Sequence, residues 1–338
     1  MDRIRSATCR QVTCASSQLN TPVASNRLDA IYRNDFRRWW AAMHMIYHAG
    51  RGKTMRYSGF QRFGMACLTA AALAGCGSSE ARREAPGALP LETPPGLAGA
   101  RLVYQRPDGL YLRVLGKGRP RRLASEGTWP RWAPDGRSIV FLRGNRIMRL
   151  DLESGAEVTV AEMKNPRTLA VHPDGRQVLV ADGQTVKAVA LADGQTTTVH
   201  SGVVFHELDV AAGGGFWVGT VKSLGWRVRR VDWPSGKSTD LARGCSASLS
   251  PDGRLATVNL DGHEQLALVD ARTGREQKRL SSPEGLKLDN QKWSNHPDWI
   301  AGIVEGAAQD ILVQRAGDGR VWRVTDEGDA DRPDLRVE

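Results

Sequence analysis

The sequence has few cysteines and no long hydrophobic run. Five cysteines occur in 338 residues, and only Cys76 and Cys245 lie beyond residue 75. No uninterrupted apolar segment reaches the roughly 20 residues that a membrane-spanning helix requires. A disulfide framework and a polytopic membrane protein are therefore both excluded.

Helical periodicity and a general excess of positive charge are also missing. No apolar repeat of about 3.6 residues is apparent after Ala100. The formal net charge is +10, but residues 1–75 account for +8 of it and leave +2 for residues 76–338. Arg227, Arg229 and Arg230 alternate between the two faces of one strand-like run, so they do not form a single patch. The sequence therefore predicts no nucleic-acid partner.

Residues 55–75 have the order of a secretory signal. Met55 is followed by Arg56 and Arg62, then by an apolar stretch at 65–73 and small residues before Cys76. A basic region, an apolar region of about 7–15 residues and a small-residue cleavage site define a signal peptide rather than a membrane span. Met55 is therefore a second candidate start, and residues 1–54 are predicted to be an over-extended, unstructured leader.

Leu73, Ala74, Gly75 and Cys76 resemble the lipobox of bacterial lipoproteins. The resemblance implies a diacylglyceryl group on the Cys76 thiol, cleavage before it and acylation of the new amino terminus. One acyl chain gives only reversible membrane attachment, so two or three chains are needed to hold the protein. The alternative is an ordinary thiol after a short core helix. Gly77 is not the aspartate that marks inner-membrane retention in some bacteria, which favours the outer membrane.

Residues 76–100 are rich in proline, glycine, alanine and serine. Pro86, Pro90, Pro94 and Pro95 interrupt any helix or central strand. The composition predicts a disordered tether that lets a folded body, residues 101–338, stand away from the bilayer.

A Pro-Asp-Gly-Arg turn recurs in that body. Its aspartates are separated by 39 and then 78 residues, which is twice 39. Proline presets φ, aspartate bonds backbone amides and glycine takes the positive φ that closes a hairpin. The gap predicts a degraded copy at 211–216, and another degenerate copy follows at 295–299. The turn residues are Pro134, Asp135, Gly136, Pro173, Asp174, Gly175, Pro251, Asp252 and Gly253.

Short strand-like runs surround each turn and predict an all-β, six-bladed β-propeller of four-stranded antiparallel blades. The blades fall near 101–124, 128–162, 167–200, 206–242, 245–281 and 290–325. The first blade lacks an inner strand, and a propeller has to close its ring. We expect either the carboxyl-terminal end or the segment just before Arg101 to supply the missing strand.

The Ser-Pro-Asp-Gly-Arg turn at this spacing resembles the repeat of TolB-like propellers, and the resemblance covers residues 101–325. It implies a periplasmic or cell-surface propeller. It does not fix a function, because related blades occur in envelope scaffolds, peptidase domains and some polysaccharide lyases. TolB itself is a soluble periplasmic protein with a separate amino-terminal domain, so its partners are not transferred to this chain.

The residues provide no recognisable catalytic or metal-binding motif. There is no Gly-x-Ser-x-Gly elbow, and His263 has Ala267 in place of a second histidine four residues later. His172 and His296 precede the turn prolines and are interpreted as turn residues. Cys245 is interpreted as a small buried strand residue. The prediction is no catalytic residue, no metal and no cofactor.

These observations favour a monomeric, lipid-anchored platform in the bacterial envelope. It is expected to contact membrane lipid through Cys76 and an envelope protein at the ring face or the channel mouth. Trp129 and Trp299 are candidate anchors for that partner, although core packing is favoured for both. The alternative is a propeller enzyme, a carbohydrate lyase or hydrolase, with histidines and carboxylates converging on a metal in the channel.

Overall fold

The computed structural model describes residues 89–283, 285–306 and 308–338. These residues form strands and turns only, and they include no helix with the length and apolar character that a bilayer crossing requires. The strands, in chain order, are β1 (Arg101–Arg106), β2 (Gly109–Val114), β3 (Lys117–Ala124), β4 (Thr128–Trp132), β5 (Ser138–Arg143), β6 (Arg146–Asp151), β7 (Glu157–Glu162), β8 (Pro166–Val171), β9 (Gln177–Asp182), β10 (Thr185–Ala190), β11 (Thr196–Ser201), β12 (Phe205–Val210), β13 (Phe216–Ser223), β14 (Gly225–Asp232), β15 (Ser238–Arg243), β16 (Leu255–Asn259), β17 (Gln265–Asp270), β18 (Glu276–Ser281), β19 (Leu288–Trp293), β20 (Trp299–Val304), β21 (Ile311–Arg315), β22 (Val321–Arg323) and β23 (Asp331–Arg336).

The strands form six antiparallel sheets, the blades of a propeller, which confirms the predicted fold class. Blade 1 has the order β23-β1-β2-β3, and blades 2, 3, 4 and 6 are β4 to β7, β8 to β11, β12 to β15 and β19 to β22. Blade 5 contains β16 to β18. Its inner edge is the segment 245–250, which makes bridges from Cys245 to Asn259 and from Leu249 to Ala256.

The apolar side chains on both faces of a blade pack against the neighbouring blades. In β5, Ile139 and Phe141 pack in a core shared with blade 1, whereas Val140 and Leu142 pack in a core shared with blade 3. Successive side chains of a strand point to opposite faces of its sheet, so one central strand serves two cores. The outer strand β7 is largely exposed. Stability therefore depends on the contacts between blades.

The carboxyl-terminal strand closes the ring. β23 pairs antiparallel with β1, with Arg336 opposite Arg101 and Leu335 opposite Leu102. Of the two segments expected to complete blade 1, the carboxyl-terminal end is the one that does so. The pairing gives the first blade its innermost strand and protects the edge of β1.

The repeated turns occupy one topological position. Those at 133–137 and 172–176 join the innermost and second strands of blades 2 and 3, and the turn at 250–254 does the same in blade 5. The degraded copies at 211–215 and 294–298 serve blades 4 and 6. All these turns therefore lie on one face of the ring, which we call the turn face.

Residues 89–100 pack against the propeller and differ in this respect from the predicted tether. The Glu92 amide donates to the Arg323 carbonyl at 2.9 Å, and the Leu115 amide donates to the Ala100 carbonyl at 2.8 Å. Leu97 is fully buried in the core between blades 6 and 1. The prolines exclude a helix here, but they do not prevent one leucine from entering an apolar core. The rest of the predicted tether, residues 76–88, lies outside the described residues.

Candidate functional site

A recess lies at the centre of the turn face. Its volume is about 320 Å³, and every blade contributes to its lining. Each blade contributes at least one residue from a repeated turn or from the end of β23, so the recess sits where the inner strands meet the turns. From blades 1 to 6 these residues include Arg336, Pro134, Pro173, Ala212, Pro251 and Asn295.

The recess has a charged floor built around Asp209. Its Oδ2 accepts hydrogen bonds from the Ser248 hydroxyl at 2.7 Å, the Leu249 amide at 2.8 Å and the Lys292 ammonium at 2.9 Å. The Asp209 and Lys292 side chains are 12% and 15% exposed. A largely buried ion pair with extra donors is costly to break, because one partner would be left as an uncompensated charge. This pair rigidly ties blades 4, 5 and 6 together.

A second buried carboxylate, Asp334, comes from the closing strand. Its Oδ2 accepts the Trp132 amide at 2.9 Å, and its carbonyl accepts the Trp132 indole at 3.0 Å. Burial raises the pKa of Asp334, and the nearby Lys292 and Arg131 partly oppose that effect. Burial likewise lowers the pKa of Arg131, which donates to the Pro130 carbonyl at 2.9 Å. With Asp209, Lys292 and Asp334 in its lining, the recess carries charges of both signs.

The predicted turn residues have direct backbone roles. Asp135, Asp174 and Asp252 each accept, through Oδ1, the amide two residues later, at 2.8, 2.8 and 3.0 Å. Gly136 and Gly253 have φ of +64° and +71°, in the left-handed region that glycine adopts without strain. These residues therefore fix the conformation of the turns, and the turn prolines Pro134, Pro173 and Pro251 line the recess.

Below the recess, four non-glycine residues of the inner strands have left-handed backbones. They are Trp129, Ser246, Asn290 and Arg332, with φ between 50° and 57°. Such conformations are uncommon outside glycine and recur at functional sites. The Arg332 guanidinium lies 4.0 Å from the centre of the Trp129 ring. Trp129 is thus partly buried against the core between blades 2 and 3, with Arg332 over its ring, whereas Trp299 is buried against Trp322.

Glu207 is a further largely buried acid, on the inner strand β12. Its carboxylate accepts the Ala247 amide at 3.2 Å and a hydrogen bond from the Thr220 hydroxyl. Arg332 Nη1 lies 3.6 Å from Glu207 Oε1, and the Glu207 side chain is 13% exposed. Burial raises the pKa of Glu207, partly offset by Arg332 and Thr220. This carboxyl therefore releases its proton at a higher pH than a solvent-exposed glutamate does.

A separate cluster lies on the face opposite the turn face. Cys245 Sγ is 3.6 Å from His263 Nε2 and 3.8 Å from Asp289 Oδ1. His263 Nδ1 pairs with the Glu305 carboxylate. Burial, together with Glu207 and Asp289, raises the pKa of Cys245. A protonated thiol is a poor nucleophile.

The other histidines do not join this cluster. His172 and His296 lie in turns beside Asp174 and Asp298, with Nδ1 to carboxylate distances of 2.8 and 3.9 Å. His206 stacks edge-on against Trp226, and its pKa is lowered chiefly by burial. Within residues 89–283, 285–306 and 308–338, Cys245, His263 and Asp289 are the group of three potential ligands whose donor atoms converge.

Sequence reasoning missed both the charged floor and this cluster. Cys245 and His263 are 18 residues apart, and Asp289 is 44 residues from Cys245, so no local spacing connects them. Ala267 stands four residues after His263, where a second ligand would be expected in a local motif. The fold instead places Cys245 and Asp289, which are distant in sequence, next to His263. Leu73, Ala74, Gly75 and Cys76 lie outside the described residues.

Comparisons with known proteins point to the fold. No protein-family model matches the sequence, and no curated protein matches it. Among solved structures, TolB from Acinetobacter baumannii superposes with a TM-score of 0.57 at 19% identity, over 72% of this chain and 68% of that chain. A structure described as a TolB from Agrobacterium tumefaciens gives 0.55 at 15% identity, over 69% and 90%. A chain of a nidogen/laminin complex gives 0.60 at 9% identity, over 71% and 99%.

The described residues therefore form a six-bladed β-propeller whose fold is similar to that of TolB structures. At these identities the likeness establishes the fold alone. As many as 1483 chains of solved structures match, so the architecture is shared far too widely to specify an activity.

Proposed function

We propose that this protein is a non-enzymatic platform of the bacterial cell envelope that binds an envelope protein at the recess of the turn face. The observation that carries the proposal is the construction of the recess. All six blades contribute to its lining, and its floor holds the Asp209–Lys292 ion pair. Among the described residues that line it, no three potential metal ligands converge.

The size and polarity of the recess favour a protein over a small molecule. Pockets for small ligands range over about 300–1,000 Å³ and are mostly apolar. The recess, at about 320 Å³, is at the small end of that range and has a charged floor. A protruding loop or chain end of a partner would insert one side chain there, while the surrounding turns contact its backbone. The rigid inter-blade cores would keep this surface preorganised, which limits the entropy lost on binding.

Membrane attachment through Cys76 is the second part of the proposal. The order of basic, apolar and small residues before Cys76 supports it. With labelled palmitate, cells that produce the full chain should yield a labelled protein, and Cys76→Ala should abolish the label. A wild-type chain that remains unlabelled and retains residues 1–54 would contradict this part alone.

The partner site is tested by placing a photo-crosslinking amino acid at Ala212, an exposed residue of the recess rim. The matched control is the same amino acid at Val158, which is 60% exposed on the outer strand β7. We expect a discrete crosslinked species from Ala212 and none from Val158. Removing the anchor with Cys76→Ala should reduce the yield at Ala212. Equal crosslinking from both positions, or from neither, would overturn the recess as the binding surface.

The alternative of a propeller enzyme is favoured by one observation, the cluster at Cys245. It lies on the opposite face from the recess, so the two hypotheses predict different sensitive residues. Cleavage of a polysaccharide by the purified chain, abolished by Cys245→Ser and unaffected at Ala212, would select the enzyme.

A further inference from the structure

We infer that Cys245, His263 and Asp289 form a binding site for a soft divalent cation of the zinc class. This inference is independent of the proposed partner site, because the cluster lies on the face opposite the recess. It rests on the separation of the ligand atoms, the orientation of the histidine and the charge around the group.

The ligand atoms have the spacing of a tetrahedral metal shell. Zinc bonds of about 2.0–2.3 Å at tetrahedral angles place neighbouring ligand atoms about 3.4–3.7 Å apart. Cys245 Sγ lies 3.6 Å from His263 Nε2 and 3.8 Å from Asp289 Oδ1. All three donor atoms lie within 4.8 Å of one another. Small side-chain adjustments would bring the three onto one ion.

The histidine is already oriented for coordination. Its Nε2 faces Cys245, and its Nδ1 is bound to the Glu305 carboxylate. A metal-bound histidine almost always donates its second ring nitrogen to a carboxylate or carbonyl, which fixes the tautomer and raises ligand basicity. Glu305 would therefore act as a positioning residue and not as a ligand.

The backbone holds the three ligands from two neighbouring blades. The Cys245 amide donates to the Asn259 carbonyl at 3.0 Å, and the Asn259 amide donates to the Cys245 carbonyl at 2.8 Å. Asn259 Nδ2 donates to the Leu288 carbonyl at 2.7 Å, next to Asp289. His263 has a left-handed backbone, with φ of 60°. The chain thus fixes the ligand positions before any ion arrives.

Asp289 Oδ1 accepts hydrogen bonds from the Ser246 hydroxyl at 3.0 Å and from Asn259 Nδ2 at 3.4 Å, but hydrogen bonds alone leave other atoms of the cluster poorly satisfied. The two sulfur contacts, at 3.6 and 3.8 Å, are long, and the Asn259 Oδ1 atom is buried without a partner among the described residues. Within those residues, neither Asp289 nor Glu305 forms an ion pair with Lys or Arg. The His263 ring is the ion-pair partner of Glu305 there and Asp289 has none, so the two carboxylates are not matched by two cations.

The ligand types select the class of metal. Thiolate and imidazole favour zinc and related transition metals, whereas magnesium and calcium prefer shells made only of oxygen. Three protein ligands leave a fourth position for water or a bound group. Such a site differs from a closed structural site with four protein ligands.

The test is metal binding by the purified full chain after treatment with chelator and reductant. We expect one equivalent of Zn²⁺ to bind, to raise the unfolding temperature and to protect the Cys245 thiol from a thiol reagent. Co²⁺ should produce a thiolate charge-transfer band. Cys245→Ser and Asp289→Asn should each weaken binding at least tenfold, and Cys245→Ser should also remove that band. Glu305→Gln should weaken binding about 10–100-fold while retaining the band.

The matched control is His172→Gln, which removes another histidine with a carboxylate neighbour and should leave Zn²⁺ affinity unchanged. Circular dichroism of each variant separates a lost ligand from a lost fold. The inference fails if the wild type binds less than stoichiometric Zn²⁺, or if the Co²⁺ complex has no thiolate band. It also fails if the His172 and Cys245 variants lose affinity equally.

Discussion

At the scale of single residues, the channel contains acids whose protonation is controlled by burial. Glu207 is 13% exposed, and Asp334 lies on the closing strand at 8%. Burial raises the pKa of both. A carboxyl whose pKa is higher in the folded state than in the unfolded state makes the fold less stable as the pH rises between the two values.

We expect Glu207→Gln to become progressively more stable than the wild type as the pH rises. The unfolded glutamate ionises at about pH 4.3, whereas the folded one keeps its proton to higher pH. Between the unfolded and the folded pKa of Glu207, ionisation lowers the free energy of the unfolded wild type more than that of the folded one. The free energy of unfolding of the wild type therefore falls as the pH rises. The amide cannot ionise, so the variant does not share this loss. Below the unfolded pKa, the two proteins should differ least.

The measurement is the unfolding midpoint in chelator across that pH range. Glu264→Gln is the control, because Glu264 is exposed. Parallel curves for the wild type and Glu207→Gln would show that burial does not control this carboxyl.

At the scale of elements, the hairpin turns of one blade press against the outer strand of the preceding blade. Gly194 lies between β10 and β11, and a Cβ there would approach the Val160 carbonyl oxygen to 2.3 Å. Gly155 occupies the same position between β6 and β7, with open space around its Cβ position. Both have φ of 72°. The two glycines therefore differ in surroundings and not in backbone.

Gly194→Ala should cost more stability than Gly155→Ala. The left-handed backbone costs each alanine about 1–2 kcal/mol. The clash with a backbone carbonyl adds a further penalty of about 1–3 kcal/mol at Gly194, as overpacking does in cores. Denaturant unfolding of both variants measures the difference. Equal losses would mean that the blades do not make this contact in solution.

The segment before β1 makes a second prediction at this scale. Leu97 is fully buried between blades 6 and 1, whereas Leu91 is 45% exposed. Leu97→Ala should lower the free energy of unfolding by about 2–5 kcal/mol. Leu91→Ala should change it by no more than about 0.5 kcal/mol. A small effect at both positions would indicate that the tether continues to Ala100.

At the scale of the whole molecule, the ring is closed by a strand from the far end of the chain. β23 brings Leu335 into the core between blades 6 and 1 and Asp334 to the recess. The fold and the floor of the candidate binding site are thus completed by the same six residues, Asp331–Arg336.

Deleting residues 331–338 should lower the unfolding midpoint, reduce cooperativity and promote association. The deletion exposes the edge of β1, and an unpaired edge strand recruits other chains. Unfolding curves and sedimentation at several protein concentrations test this expectation. Deleting Glu338 alone, whose side chain is 56% exposed, is the control. A monomeric deletion variant with wild-type cooperativity would show that closure by β23 is dispensable.

The number of blades and their approximate limits could be predicted from the sequence, because the signals are local. Pro134, Asp135 and Gly136 set a turn through their own backbone preferences, and the spacing of 39 residues places the next one. Alternating apolar residues then assign the flanking strands. The composition of residues 76–100 predicted a disordered tether and did not reveal that Leu97 is buried. The burial of this leucine depends on the core between blades 6 and 1, which forms only in the folded ring.

The sequence by itself determined the architecture, because turn chemistry and strand alternation act over a few residues and repeat. Tertiary structure decided which end closes the ring, how Asp209 meets Lys292 across 83 residues, and that Cys245 faces His263 and Asp289. These contacts join different blades, and their geometry follows from how the sheets stack around the axis. No spacing along the chain encodes that stacking.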